Sequence, residues 1–213
     1  AHLARLDRSC RELYGEGPPD DLAAQITTAL AAHDVESAGR RVVRVVARPD
    51  AAGLTFDVAV AALRPPPGAS SLALAARSEL CWRHKWANRR QLERTEQEQR
   101  PSLPYFLTRT GGQVAETSRG NIFCQRADGV WLTPPLDHGL LPGVTRREVL
   151  DLFAEAGIPL SIEFFSPETL RQSTAAFWTS SLSGAVPVTA VDGFSLSTPQ
   201  ALIAMLNAKL GIG

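Results

Sequence analysis

Apolar positions recur with helical spacing in some stretches of the chain and alternate in others, and each change of period marks an element. In AHLARLDRSCRELYG, Leu3, Leu6, Cys10 and Leu13 fall on one helical face, which predicts an opening helix with those residues inward. GEGPPDD breaks that pattern. Pro19 with Asp20 and Asp21 then opens a second helix through LAAQITTALAAH, with Leu22, Ile26, Ala29 and Leu30 inward. RRVVRVVA and LTFDVAVAAL are β-rich runs separated by RPDAAG, the pattern of a hairpin with a glycine-bearing loop. RPPPGASS, residues 64–71, is stiff and loop-like and is expected to link two domains: a small α/β domain over 1–63 and a larger one over 72–213.

The second part is richer in strands. A polar helix, WANRRQLERTEQEQR, is predicted after Lys85, its charged face solvated. Two hairpins follow by turn chemistry, PYFLTRT–GG–QVAET and NIFCQR–ADG–VWLTPP. A helix from Thr145 to Ala156, the strand PLSIEFF, a short helix after Pro167, the strands AAFWTSS and VPVTAV, and a last helix from Pro199 complete the chain. The class is α+β, without internal repeats or low-complexity segments.

Composition narrows the partners. The 213 residues carry 22 Lys plus Arg against 22 Asp plus Glu, and a net charge of zero gives no electrostatic case for nucleic acid or an anionic membrane. No apolar run approaches the about 18 residues that span a bilayer, and the start lacks a secretory pattern. Cys10, Cys81 and Cys124 are odd in number and far apart, with no CxxC. That usage fits a reducing cytosol and neither a disulfide framework nor a zinc site. A cytoplasmic protein with a small-molecule substrate and no metal is the expectation.

Four stretches carry candidate chemistry, and each has a plain structural reading as well. Lys85 in RHKWANRR stands among arginines, whose like charge favours the neutral amine that attacks a carbonyl; it also reads as a solvated surface charge. Glu116 in ETSRGNIF ends a strand and could face a protonated heteroaromatic nitrogen, or be an edge charge beside turn formers Ser118, Gly120 and Asn121. In LLPGVTRREVL, Gly143 allows close backbone approach and Thr145 stands at the N-cap or first turn of a helix. That suits an anion, although a capping box with Glu148 accounts for the same residues. TSSLSGAVPV offers hydroxyls for a second phosphate contact, or a polar turn. In this order they supply an amine for an aldehyde, an acid for a ring nitrogen and donors for a phosphate, the parts of a pyridoxal phosphate site. No GxGxxG or P-loop lysine accompanies them.

K-W-A-N-R (85–89), E-T-S-R-G-N-I-F, L-P-G-V-T-R and S-S-L-S-G-A-V-P-V, with the opening H-L-A-R-L, resemble the fold-type IV pyridoxal phosphate enzymes in the family's order. This is the class-IV aminotransferase family, which includes branched-chain and D-amino-acid aminotransferases and 4-amino-4-deoxychorismate lyase. The resemblance implies a two-domain α+β fold, pyridoxal 5'-phosphate as cofactor and a homodimer. It implies that Lys85 holds the cofactor aldehyde and moves protons, and that Glu116 keeps the pyridine nitrogen protonated. Arg5, Val144, Thr145 and Ser181 would bind the phosphate. Family members carry a β segment ahead of the H-x-x-R-L helix, so the small domain is expected to lack its first strands. K-x-x-N-R, and a Gly184 where several aminotransferases have an acid, look more like the lyase branch, which forms 4-aminobenzoate and pyruvate. A class-IV aminotransferase and a catalytically inactive member are the alternatives.

Overall fold

The structure, a computed structural model, describes residues 1–32, 40–74, 83–90, 93–94, 105–108, 112–136 and 139–212, without the side chains of 74 and 105–108. It divides into two compact units, Ala1–Pro65 and Pro66–Gly213. The division falls inside the proline-rich stretch, whose Ser70 and Ser71 belong to a strand rather than to a linker.

Among its described residues the first unit has two helices, α1 (His2–Tyr14) and α2 (Leu22–Ala32), and a hairpin of β1 (Arg41–Asp50) and β2 (Gly53–Ala62). The hairpin turns tighter than RPDAAG suggests. Asp50 pairs with Gly53, and the Asp50 carboxylate accepts from the Ala52 N–H at 2.7 Å, so a side chain closes a two-residue loop and frees Arg48 and Pro49 for the strand. On α2 the four apolar positions at helical spacing are the covered ones, Leu22 fully and Ile26, Ala29 and Leu30 in part. On α1 the expectation of four inward residues fails. Cys10 is buried, whereas Leu3 and Leu13 each remain 39% exposed. A unit of 65 residues has little surface with which to cover a whole apolar stripe.

Among the described residues, the second unit is built on one nine-stranded sheet. Its strands are β3 (Ser70–Leu74), β4 (Tyr105–Thr108), β5 (Val114–Thr117), β6 (Asn121–Gln125), β7 (Trp131–Thr133), β8 (Leu160–Ile162), β9 (Ala175–Ser180), β10 (Gly184–Val191) and β11 (Phe194–Ser195). They run in the order β5-β4-β3-β10-β9-β6-β7-β8, with β11 on β10. Among the described residues, helices α3 (Val144–Glu155), α4 (Pro167–Arg171) and α5 (Gln200–Lys209) follow, besides the helical backbone at 90 and 93–94. In that order β5 and β6 stand five strand spacings apart, which is roughly 24 Å in a flat sheet. Yet the turn 118–120 alone joins them, with the Thr117 N–H donating to the Gly120 carbonyl at 2.8 Å. So short a connection cannot bridge that span, and the sheet therefore curls on itself.

Curling gives the sheet an inside and an outside, and the period-two pattern fills both. Ile122, Cys124, Ala176, Trp178, Val186 and Val188 share one cluster with Leu72, Val114 and Leu132. The alternate residues Phe123, Ala175, Phe177 and Ala185 meet Val149 and Phe153 of α3 and Ile203 and Leu206 of α5. Phe123 stacks on Phe177 at 4.8 Å between centroids, an arrangement worth about 0.5–1.5 kcal/mol beyond burial. With its outer face covered, β6 is pinned on both sides, which fixes where its first residue, Asn121, stands.

Three elements differ from expectation. The helix after Lys85 does not begin at Trp86: residues 85–89 are non-helical, and helical backbone is described at Arg90, Glu93 and Arg94, the Asn88 side chain accepting from the Arg90 N–H at 3.2 Å. The remainder of that predicted helix lies outside the described residues, as do Cys81 and the GG turn at Gly111. PLSIEFF contributes only three strand residues, and VPVTAV extends back to Gly184.

Candidate functional site

Glu116 sits at the end of β5 and is 6% exposed. Its partners come from two directions. The Asn121 Nδ2 donates to Glu116 Oε2 at 3.3 Å and to the Leu141 carbonyl at 3.1 Å, and the nearby Leu141 backbone N–H favours the charged carboxyl. Arg89, from the segment that carries Lys85, donates to the Ser118 carbonyl and adds its positive charge nearby. Burial prevails over these contacts and lifts the carboxyl to about 8, so at neutral pH the acid holds its proton. A carboxyl in that state can meet a basic ring nitrogen and give it a proton.

Past Leu141 the chain enters α3, whose N-cap is Gly143 in extended conformation. Thr145 is therefore the second residue of the helix and not its N-cap. No side chain caps this end, so the alternative reading as a capping box with Glu148 does not hold. The Thr145 hydroxyl instead meets the Ser181 hydroxyl at 3.2 Å, joining the start of α3 to the loop after β9. Arg146 is buried and ties the same end down, with Nη2 donating to the Pro134 carbonyl at 2.8 Å. Uncapped N–H groups at a helix N-terminus, beside two hydroxyls, favour an anion. Across the sheet from Asn121 stands Thr179, 2% exposed, whose hydroxyl is the buried side-chain atom without a partner among the described residues. A buried donor left unmatched costs about 1–3 kcal/mol.

Gly143 has a steric reason to be glycine. A Cβ there would stand 2.0 Å from Asn121 Oδ1. Gly143→Ala is expected to displace Asn121 or the helix start. It should destabilise the second unit by about 1–3 kcal/mol in chemical denaturation and weaken phosphate-ligand binding, whereas Glu148→Ala, at an exposed position, should change neither.

The structure thus gathers Glu116, Val144, Thr145 and Ser181 around the loop 140–143 and the start of α3. Lys85 lies on the segment 83–90, exposed and non-helical. Arg5 lies half-buried on α1 in the other unit. The sequence places Asn121 at the opening of a strand in ETSRGNIF, with a turn former as the alternative, and Thr179 among the hydroxyls of TSSLSGAVPV, but gives neither residue a role of its own. Nothing in the spacing marks Asn121 as a tether, because its partner Leu141 is 20 residues away. The residues of the second unit suit pyridoxal 5'-phosphate: a carboxyl shielded from water answers a pyridine nitrogen, and free helix N–H groups with hydroxyls answer a phosphate. Among the described residues no cluster of metal-ligating side chains exists and no helix is long and apolar enough to cross a membrane.

Comparison with known proteins points to the same cofactor. A branched-chain-amino-acid aminotransferase of Escherichia coli K12 is 33% identical over 85 residues, which are 40% of this chain and 27% of that protein. A D-alanine aminotransferase of Listeria monocytogenes is 31% identical over 106 residues, or 50% of this chain and 36% of that one. The matches thus span about a third or less of these curated relatives. Among solved structures, a fold IV transaminase of Curtobacterium pusillum superposes with a TM-score of 0.83 at 24% identity, over 98% of this chain and 79% of that one. Residues 1–191 match the model for amino-transferase class IV, and the chain belongs to that family of pyridoxal phosphate-dependent enzymes.

Proposed function

We propose that the protein is a pyridoxal phosphate-dependent lyase that converts 4-amino-4-deoxychorismate to 4-aminobenzoate and pyruvate. The observation that carries this over amine transfer is Gly184. It opens β10 at φ 65, where a Cβ would stand 2.4 Å from Asn207 Oδ1. Asn207 is committed there, accepting from the Ala185 N–H at 2.8 Å and donating to the Ala185 carbonyl at 3.0 Å. An acidic side chain, which several aminotransferases have at this position, has neither the backbone conformation nor the room. K-x-x-N-R at 85–89 supports the same branch.

When bound, the cofactor supplies a ring that withdraws electrons from the carbon bearing the substrate amine. The chain does the rest. Thr145, Ser181 and the first N–H groups of α3, from Val144 on, hold the phosphate. Glu116 keeps a proton at the ring nitrogen. Lys85 holds the cofactor aldehyde before substrate arrives, and its freed amine then takes the proton from the amine-bearing ring carbon. The same amine delivers a proton to the methylene of the departing enolpyruvyl group. The two products contain every atom of the substrate, so neither water nor a co-substrate is consumed. A homodimer and a cytoplasmic setting belong to the same proposal.

Amine transfer is the second reading, favoured by the aminotransferase names of the relatives over their matched stretches. The purified protein with cofactor and 4-amino-4-deoxychorismate separates the two. Equal amounts of pyruvate and 4-aminobenzoate, with no amino acid added, are expected of the lyase. Amine exchange between branched-chain or D-amino acids and 2-oxo acids, without pyruvate release, would overturn it.

A further inference from the structure

We propose that Asn121 is a positioning residue, which clamps the Glu116 carboxyl to the loop leading into α3. One nitrogen bridges two groups: Asn121 Nδ2 donates to Glu116 Oε2 at 3.3 Å and to the Leu141 carbonyl at 3.1 Å, with the Leu141 N–H close enough to favour the charged carboxyl. The far side of the Asn121 amide lies where a Gly143 side chain would be, so the amide touches the acid, the loop and the N-cap at once. Asn121 is 4% exposed, and its strand is held by Phe123 and Ile122 in the two cores on either side of the sheet. It stands on a rigid element, whereas Glu116 ends a strand and Leu141 lies in a loop.

The bridge therefore fixes the distance between the acid at the end of β5 and the uncapped N-terminus of α3. A ligand that must satisfy both ends at once needs that distance held, because an acid free to rotate would spend binding energy on ordering. The functional sense of the clamp rests on the proposed role of Glu116, but the clamp is a property of the cofactor-free chain and is tested there.

NMR on cofactor-free protein reads it directly, with Glu116 carboxyl carbons and the Asn121 and Leu141 amides followed from pH 5 to 10. In the wild-type chain both amides are expected to shift with the midpoint of the Glu116 carboxyl. Asn121→Ala removes a donor that favours the charged carboxylate, so the Glu116 midpoint should rise, with Arg89 the remaining charge beside it. Asn121→Asp keeps the volume and substitutes an acceptor. It should raise the midpoint too and serves if the alanine variant fails to fold. Pyridoxal phosphate affinity should drop about tenfold in either variant, the weight of one such hydrogen bond. Asn121 signals that stay flat through the Glu116 midpoint, or a folded variant with an unmoved midpoint, would overturn the clamp. Neither result depends on whether the protein turns over any substrate.

Discussion

Lys85→Ala is expected to leave a folded chain that has lost at least about 10⁴-fold in turnover, because in the proposed reaction one side chain serves as both covalent anchor and proton carrier. Stability should hardly change. Lys85 is exposed on a non-helical segment, and such substitutions ordinarily stay within about 0.5 kcal/mol. The sequence makes the experiment unusually clean, since it contains only two lysines, Lys85 and Lys209. Lys209 ends α5 at an exposed position, well down a helix whose inner face packs Ile203 and Leu206 against the sheet. Borohydride reduction of the cofactor-loaded protein should fix one pyridoxyl group on the peptide containing Lys85, read by absorbance and mass spectrometry. Lys209→Ala should label normally and Lys85→Ala should not. Label on Lys209 alone would sink the assignment of Lys85.

Glu116→Gln is expected to lower turnover by about 10²–10³-fold, the usual weight of one preorganised electrostatic contact to a developing charge. The amide can still bond a ring nitrogen but cannot keep it protonated. The same substitution has a signature in the cofactor-free protein. Burial raises the folded-state Glu116 from 4.5 to about 8, so the folded chain binds this proton more tightly than the unfolded chain. Its contribution is therefore full below pH 4.5 and is lost as pH rises through about 8. Wild-type protein should lose several degrees of melting temperature between pH 5 and 9 from this group. Glu116→Gln should flatten that fall and be the more stable chain at pH 9. Equal pH profiles would mean that the carboxyl is not held from water.

Most of the elements were legible because their signals are local. The face of α2, the hairpins β4–β5 and β6–β7, and α5 after Pro199 follow from period and turn chemistry. The motifs that point to the cofactor are likewise short and continuous. Where expectation missed, a partner distant in sequence decided. For Thr145 the sequence leaves an anion seat and a capping box with Glu148 both open, and its contact with Ser181, 36 residues on, is what excludes the box. Leu3 and Leu13 were read as inward from spacing alone, which records a face but not what covers it.

The sequence by itself determined the period of each strand, the glycines and the order of the chemically active residues, since these depend on neighbours within a few positions. Only the tertiary structure decided what those residues do together. The curl of the sheet brings β5 beside β6, buries the Glu116 carboxyl until it keeps its proton, and sets Asn121 between that acid and α3. Burial and long-range hydrogen bonds set these properties, and both arise from chain segments that meet only after folding.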